Sequence, residues 1–274
     1  MLSRFAGGTY QGVRHVRAHV ANNRFDPPVI TEISSADAVI NLAGAGIADA
    51  RWTPARKAIL RESRLSVTRA LAAAIRDAAT PPSVFISGSA IGVYGSDLNA
   101  TFSESSEAGT DFLATLCADW EQAALEDTSH RTRVVLLRTG LVLARDGGLL
   151  AKLRTPFLFF VGGPVGSGAQ WMSWIHRDDW IGLVRWAMNT PNVRGPLNAV
   201  APAPVTNRDF SKALGRALSR PSLLPMPAFA LRMMFGEMAD GALLASQRVS
   251  LSVALAGGYP FRYAHIDEGM KAAV

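Results

Sequence analysis

From Asp37 onward, short uninterrupted apolar runs alternate with longer stretches in which apolar residues recur every three or four positions. Ala38-Val39-Ile40-Asn41-Leu42-Ala43-Gly44 is an apolar run closed by glycine, the pattern of a strand buried on both faces of a parallel sheet. Thr53-Pro54 then predicts a helix start, with Thr53 as N-cap and proline at the first position, where its missing N–H costs nothing. Leu60, Val67, Leu71, Ala74, Ile75 and Ala78 share one face of that helix, Arg61, Arg64 and Arg69 lie mostly off it, and Pro81-Pro82 ends it. The cycle repeats with a strand at Val84-Phe85-Ile86, a helix from Asp111 to Glu126 and a strand at 134–137. Such alternation predicts an α/β fold, a parallel sheet with helices on both faces.

Past residue 150 the alternation loosens into a glycine-rich loop, a helix from about Asp179 to Met188 and a strand from Leu197 to Val200. Thr206-Asn207-Arg208-Asp209 reads as a capping box opening another helix. Residues 227–274 are mostly helical in pattern, broken at Gly257-Gly258, and Met226, Met233, Met234 and Met238 are expected in the core. Residues 1–36 have no clean period.

Composition sharpens this picture in a few places. The chain has 274 residues, 49% hydrophobic and 18% charged, enough for one large α/β unit or two small domains. Its net charge of +6 suits an anionic ligand such as a nucleotide. The basic residues are scattered, with no Lys/Arg run interleaved with aromatics, so no nucleic-acid partner is expected. Cys117 is the single cysteine, which rules out an intramolecular disulfide and a cysteine-based zinc site and fits a reducing compartment. Arg154 and Arg185 interrupt the two most apolar regions and no secretory h-region opens the chain, so a cytoplasmic location with no membrane partner is expected.

Three segments that follow apolar runs carry the candidate chemistry: Asn41-Leu42-Ala43-Gly44, Ser87-Gly88-Ser89-Ala90 with Val93-Tyr94-Gly95, and Trp174-Ile175-His176 with Asp179. Small residues at strand ends let a flat cofactor approach the backbone, and the Ser89 hydroxyl can hydrogen-bond a substrate oxygen. His176 beside Asp179 at a helix start reads first as a capping pair. A hydrolase triad is excluded, because Ser87-Gly88-Ser89-Ala90-Ile91 lacks the first glycine of a nucleophile elbow and the order Ser, His, Asp is not that of the α/β-hydrolases. Gly162 to Gly168 can cradle an anion through backbone N–H groups.

These segments, with Arg51-Trp52-Thr53, Ser63-Arg64, Arg138-Thr139-Gly140 and the 162–168 loop, resemble the epimerase-like atypical subgroup of the extended short-chain dehydrogenases/reductases, whose members are described as sugar-nucleotide epimerases of unknown substrate. The resemblance runs over residues 26–274. It implies a Rossmann-like sheet, NADP or NAD as cofactor, and two units, a dinucleotide-binding domain over 1–222 and a family-specific C-terminal lobe over 223–274. It places Asn41, Leu42, Ala43, Gly44, Ser87, Gly88, Thr139 and Gly140 on the cofactor, and Gln170, Trp171 and His176 on the substrate. Ser89 matches the family's catalytic serine. The family's Tyr and Lys, four residues apart on the following helix, fall on Leu113 and Cys117, so Tyr94 is the substitute proton donor.

The usual opening of a dinucleotide site, a strand, a glycine-rich turn and a helix, is missing; Gly7-Gly8-Thr9-Tyr10-Gln11-Gly12 has the wrong spacing. Truncation is the preferred explanation, remodelling the other. The resulting expectation is an NAD(P)-dependent epimerase or reductase-like protein acting on a small oxygenated substrate such as a nucleotide sugar, with no metal and a homodimer as candidate assembly. The alternative is a catalytically silent dinucleotide-binding or regulatory protein linked to cell division.

Overall fold

The computed structural model describes residues 2–3, 8–10 and 13–274. Its centre is a four-stranded parallel sheet of β1 (Ala38–Asn41), β2 (Val84–Ala90), β3 (Arg133–Thr139) and β4 (Gly195–Ala199), in the order β4-β3-β2-β1. Ile40 pairs with Ile86, Ile86 with Val135, and Leu137 with Leu197, so the apolar runs identified in the sequence lie side by side.

The crossovers are α2 (Pro54–Asp77), between β1 and β2, and α3 (Phe112–Leu125), between β2 and β3. The side chain of Thr53 accepts from the Arg56 N–H and that of Asp111 from the Ala114 N–H, so each helix starts on an N-cap that its sequence announces. Alternation along the strands divides the core. Phe85 and Leu136 pack with Leu71, Ile75 and Ala124 of these helices and with α1 (Pro27–Ser34). Ile86, Val135 and Leu137 pack on the opposite face against Leu183 and Val184 of α5 (Arg177–Asn189) and Ala254 of α8 (Ser252–Ala256).

Ahead of β1, the short strands Leu2–Ser3, Gly8–Tyr10 and Val13–Arg17 form a separate three-stranded sheet, in which Gly8–Tyr10 runs antiparallel to Val13–Arg17. Gly8-Thr9-Tyr10 is therefore strand and not the turn into a helix; Gly7, Gln11 and Gly12 lie outside the described residues. Among the described residues the N-terminal strands are followed by α1 and no glycine turn leads from a strand into a helix ahead of β1.

Between residues 147 and 160 the expected loop is a helix, α4 (Gly148–Leu158), with Leu150 and Phe157 buried and Pro156 in its last turn. The C-terminal third supplies α6 (Asn207–Leu218), α7 (Ala228–Phe235), α8 and α9 (Ile266–Ala273). Phe210, Ala213 and Leu214 of α6 meet Ile266 and Met270 of α9 around the fully buried Trp174. The methionine expectation needs correction: Met238 is buried, but Met226, Met233 and Met234 are 39%, 73% and 55% exposed, because no described element covers their face. None of the described helices is long and apolar enough to cross a membrane.

Candidate active site

The carboxyl ends of β1, β2 and β3 point the same way and bring Asn41, Ser87 to Ala90 and Arg138 to Gly140 to one edge of the sheet, where open α/β folds bind ligands. After Asn41 the chain leaves the sheet, and Leu42 and Gly44 are exposed. Asn41 itself is buried: its Nδ2 donates to Thr68 Oγ1 at 2.8 Å and its Oδ1 accepts the Ala43 N–H at 3.1 Å, which fixes the turn. Thr68 Oγ1 also accepts from Trp120 Nε1 at 2.8 Å, tying β1, α2 and α3 to one hydroxyl. Thr68→Val keeps the shape and strands both donors, so it should cost about 1–3 kcal/mol, readable as a lower urea midpoint.

Gly88 is required by packing, since a Cβ there would lie 2.9 Å from Trp120 Cη2 and 3.1 Å from the Asn41 carbonyl oxygen. Ser87 Oγ is buried with no hydrogen-bond partner among the described residues. At Gly140 a Cβ would fall 2.6 Å from the Ser173 carbonyl oxygen, so this glycine serves the close approach of Leu141–Leu143 to Trp174–His176. The Thr139 hydroxyl accepts from Trp180 Nε1 at 3.1 Å.

A buried polar network extends inward from Ser89. Ser89 Oγ donates to Glu121 Oε1 at 2.6 Å, and Arg138 grips both Glu121 oxygens, Nε to Oε1 and Nη2 to Oε2, at 2.8 Å each. The Arg138 and Glu121 side chains are only 8% and 9% exposed, so their charges are compensated almost entirely by each other. Arg138 Nη1 donates to Tyr94 Oη at 3.0 Å, and Tyr94 donates to Asn198 Oδ1 at 2.7 Å. Tyr94 lies in a buried 3₁₀ turn, stacked on Phe102, and burial raises its pKa above the usual phenol value. Its hydroxyl is held on both sides by protein groups. Sequence reasoning reached Ser89 and Tyr94 but missed Glu121 and Asn198 as partners; Glu121 falls two turns beyond Leu113 on one helix face, which is the signal that could have found it.

On that face Leu113 and Cys117 occupy the slots of the expected proton carriers. Burial pushes the Cys117 thiol up to about 12, so it stays protonated near neutral pH and supplies no base.

The expected substrate contacts separate. Gln170 is buried, its Nε2 donating to the Val165 carbonyl at 3.1 Å. Trp171 is partly exposed, with the Arg248 guanidinium 4.5 Å above its ring. His176 is buried and caps α5, its Nδ1 accepting the Asp178 N–H at 3.1 Å, while both Asp179 carboxylate oxygens accept backbone N–H groups from Arg262 and Tyr263. In the glycine loop the N–H groups of Val165, Gly166 and Gly168 already donate to Asn207 Oδ1 and the Met226 and Val165 carbonyls, so these three are not free to cradle an anion.

Burial holds the His176 pKa below its ordinary value. The unfolded chain therefore binds this proton more readily than the folded one, and the stability contribution is complete above about pH 6.5 and is lost as pH falls through the folded value. His176→Asn, which keeps a capping oxygen, should flatten the fall in thermal midpoint between about pH 7 and 5 relative to the wild type.

Comparison with known proteins gives a consistent result. The model of the NAD dependent epimerase/dehydratase family matches residues 23–199, and a domain of unknown function matches residues 226–273. An epimerase family protein of Mycobacterium bovis is 43% identical over 249 residues, 91% of this chain and 81% of that protein. The crystal structure of the human epimerase family protein SDR39U1 (isoform 2) with NADPH superposes with a TM-score of 0.88 at 32% identity, covering 99% of this chain and 89% of that one. UDP-N-acetylglucosamine 4-epimerase from Bacillus cereus, at 14% identity and a TM-score of 0.74 over 99% of this chain and 87% of its own, shares the fold.

Proposed function

This chain belongs to the NAD dependent epimerase/dehydratase family, and we propose that it binds NADP(H) or NAD(H) at the carboxyl ends of β1, β2 and β3 and acts as an epimerase or reductase on a small oxygenated substrate, a nucleotide sugar. The observation that carries this reading is Ser89, whose hydroxyl is aimed by the Glu121–Arg138 pair at the end of β2, one residue from the tightly packed Gly88. NADPH in the human relative's crystal structure supports the cofactor. The separate family matches over 23–199 and 226–273 support a dinucleotide-binding unit over 1–222 and a substrate lobe over 223–274.

The residues present fit one half of such a cofactor. Exposed Leu42 and Gly44 and the orphaned Ser87 hydroxyl would line the nicotinamide side, whereas the described residues contain no glycine turn for the pyrophosphate. The bound dinucleotide would supply hydride exchange. The chain's own part follows from the network: Ser89 donates its hydrogen bond to Glu121 Oε1 and so turns its lone pairs outward, which suits it to accept a hydrogen bond from a substrate hydroxyl. Arg138 engages both Glu121 oxygens, so Glu121 orients Ser89 and does not take its proton.

Leu113 and the buried Cys117 favour a second reading, a dinucleotide-binding protein without turnover. Incubation with NAD or NADPH and a panel of UDP- and dTDP-sugars, followed by nicotinamide absorbance and proton NMR, separates the two. Epimerised or reduced sugar is expected; dinucleotide binding with an inert panel would sink the first reading and leave the second.

A further inference from the structure

Among the buried charges of this protein Arg64 stands apart. Its side chain is 9% exposed, yet it makes no ion pair among the described residues and donates only to two backbone carbonyls, Nη1 to Leu60 at 2.9 Å and Nη2 to Ala45 at 3.0 Å. A buried guanidinium with no anion beside it is costly, and carbonyl dipoles offset only part of that cost. One face of the guanidinium rests on the Trp120 ring, 5.1 Å away. Gly44, an exposed residue, packs closely against it: a Cβ at this position would lie 2.9 Å from Arg64 Cζ and 3.1 Å from Nη2.

A second cation faces the same loop. Arg56 Nη2 donates to the Gly46 carbonyl at 2.6 Å, while its Nε is buried without a partner. The carboxylate in reach of Arg56 is Asp49, at 3.8 Å and 65% exposed, too distant and too solvated to balance both guanidinium groups. Trp120, on which Arg64 stacks, also packs against Gly88 at the end of β2, so the uncompensated charge lies beside the site described above.

We propose that Arg64, beside Gly44 and assisted by Arg56, binds a carboxylate that the substrate carries near its reacting end, and so makes the protein selective for an acidic substrate. Arg64 is then a specificity-determining residue. The inference rests on the reading of the sheet edge as the active site.

Isothermal titration with UDP-glucuronic acid and UDP-glucose, which differ by a carboxylate against a hydroxymethyl group, tests it, with NADPH titrated in parallel. The wild type should bind the acid about tenfold or more tighter, the ratio one charge-assisted hydrogen bond supplies. Arg64→Met should erase that preference, and Arg64→Lys should keep part of it. Each variant is checked for a native thermal transition. Equal affinity for the two sugars in the wild type, or binding of neither, overturns the proposal. If NADPH binds in that event the dinucleotide site stands and only the oxyanion role falls; if NADPH also fails, the active-site reading falls with it.

Discussion

Arg138→Leu is expected to lower stability by about 3–5 kcal/mol, because it leaves the Glu121 carboxylate buried without its counter-charge. The two side chains are 8% and 9% exposed, and both Glu121 oxygens are held by Arg138 at 2.8 Å, so water can replace little of what is lost. Tyr94 and the Glu104 carbonyl lose the Nη1 donor as well. The urea midpoint at neutral pH reads the loss. The double variant Arg138→Leu/Glu121→Leu removes both charges and should recover most of it, since two well-packed apolar side chains replace an ion pair with little net change. A double variant no more stable than Arg138→Leu would mean that the network matters through Tyr94 and Asn198 and not through the charge pair.

The second large effect concerns chemistry. Ser89→Ala should lower turnover of the substrate found in the sugar panel about 100-fold, the usual effect of deleting one positioned hydrogen-bonding group at a reacting oxygen. The affinity for NADPH should be unchanged. Stability should fall little, since Glu121 keeps both of its bonds to Arg138 when the serine hydroxyl is gone. Tyr94→Phe should behave in the opposite way. Its hydroxyl lies between Arg138 and Asn198, so its loss strands two buried polar groups and costs stability by about 1–3 kcal/mol, with a small change in turnover. A Tyr94→Phe variant that is stable but inactive would assign the proton-donor role to this residue.

The central sheet was legible because its strands are buried on both faces and so read as unbroken apolar runs, each followed by a helix announced by a capping side chain, Thr53 or Asp111. The N-terminal strands were not: they are two to five residues long, too short for any period to show. Helix α4 was hidden by Gly147-Gly148 at its start and Pro156 near its end, although Leu150, Leu153 and Phe157 keep helical spacing. Of the site, the strand ends were readable because small residues there interrupt apolar runs. The partners were not, because Ser89 meets Glu121 32 positions away and Tyr94 meets Asn198 104 positions away. Arg64 corrects the expectation that the arginines lie mostly off the apolar face of α2: four residues after Leu60 and seven before Leu71, it lies on the buried face, where the Trp120 ring from α3 stacks on it.

The charge arrangement at the sheet edge follows from the same contacts. Arg138 is balanced by Glu121, which holds Ser89 in place, while Arg64 has no ion-pair partner among the described residues.

Amide hydrogen exchange with and without saturating NADPH tests the central claim most directly, because it reads binding and location together. The account predicts slower exchange in the peptides spanning residues 41–46, 87–90 and 138–141, at the carboxyl ends of three neighbouring strands. No protection anywhere, or protection confined to segments away from those strand ends, would contradict it.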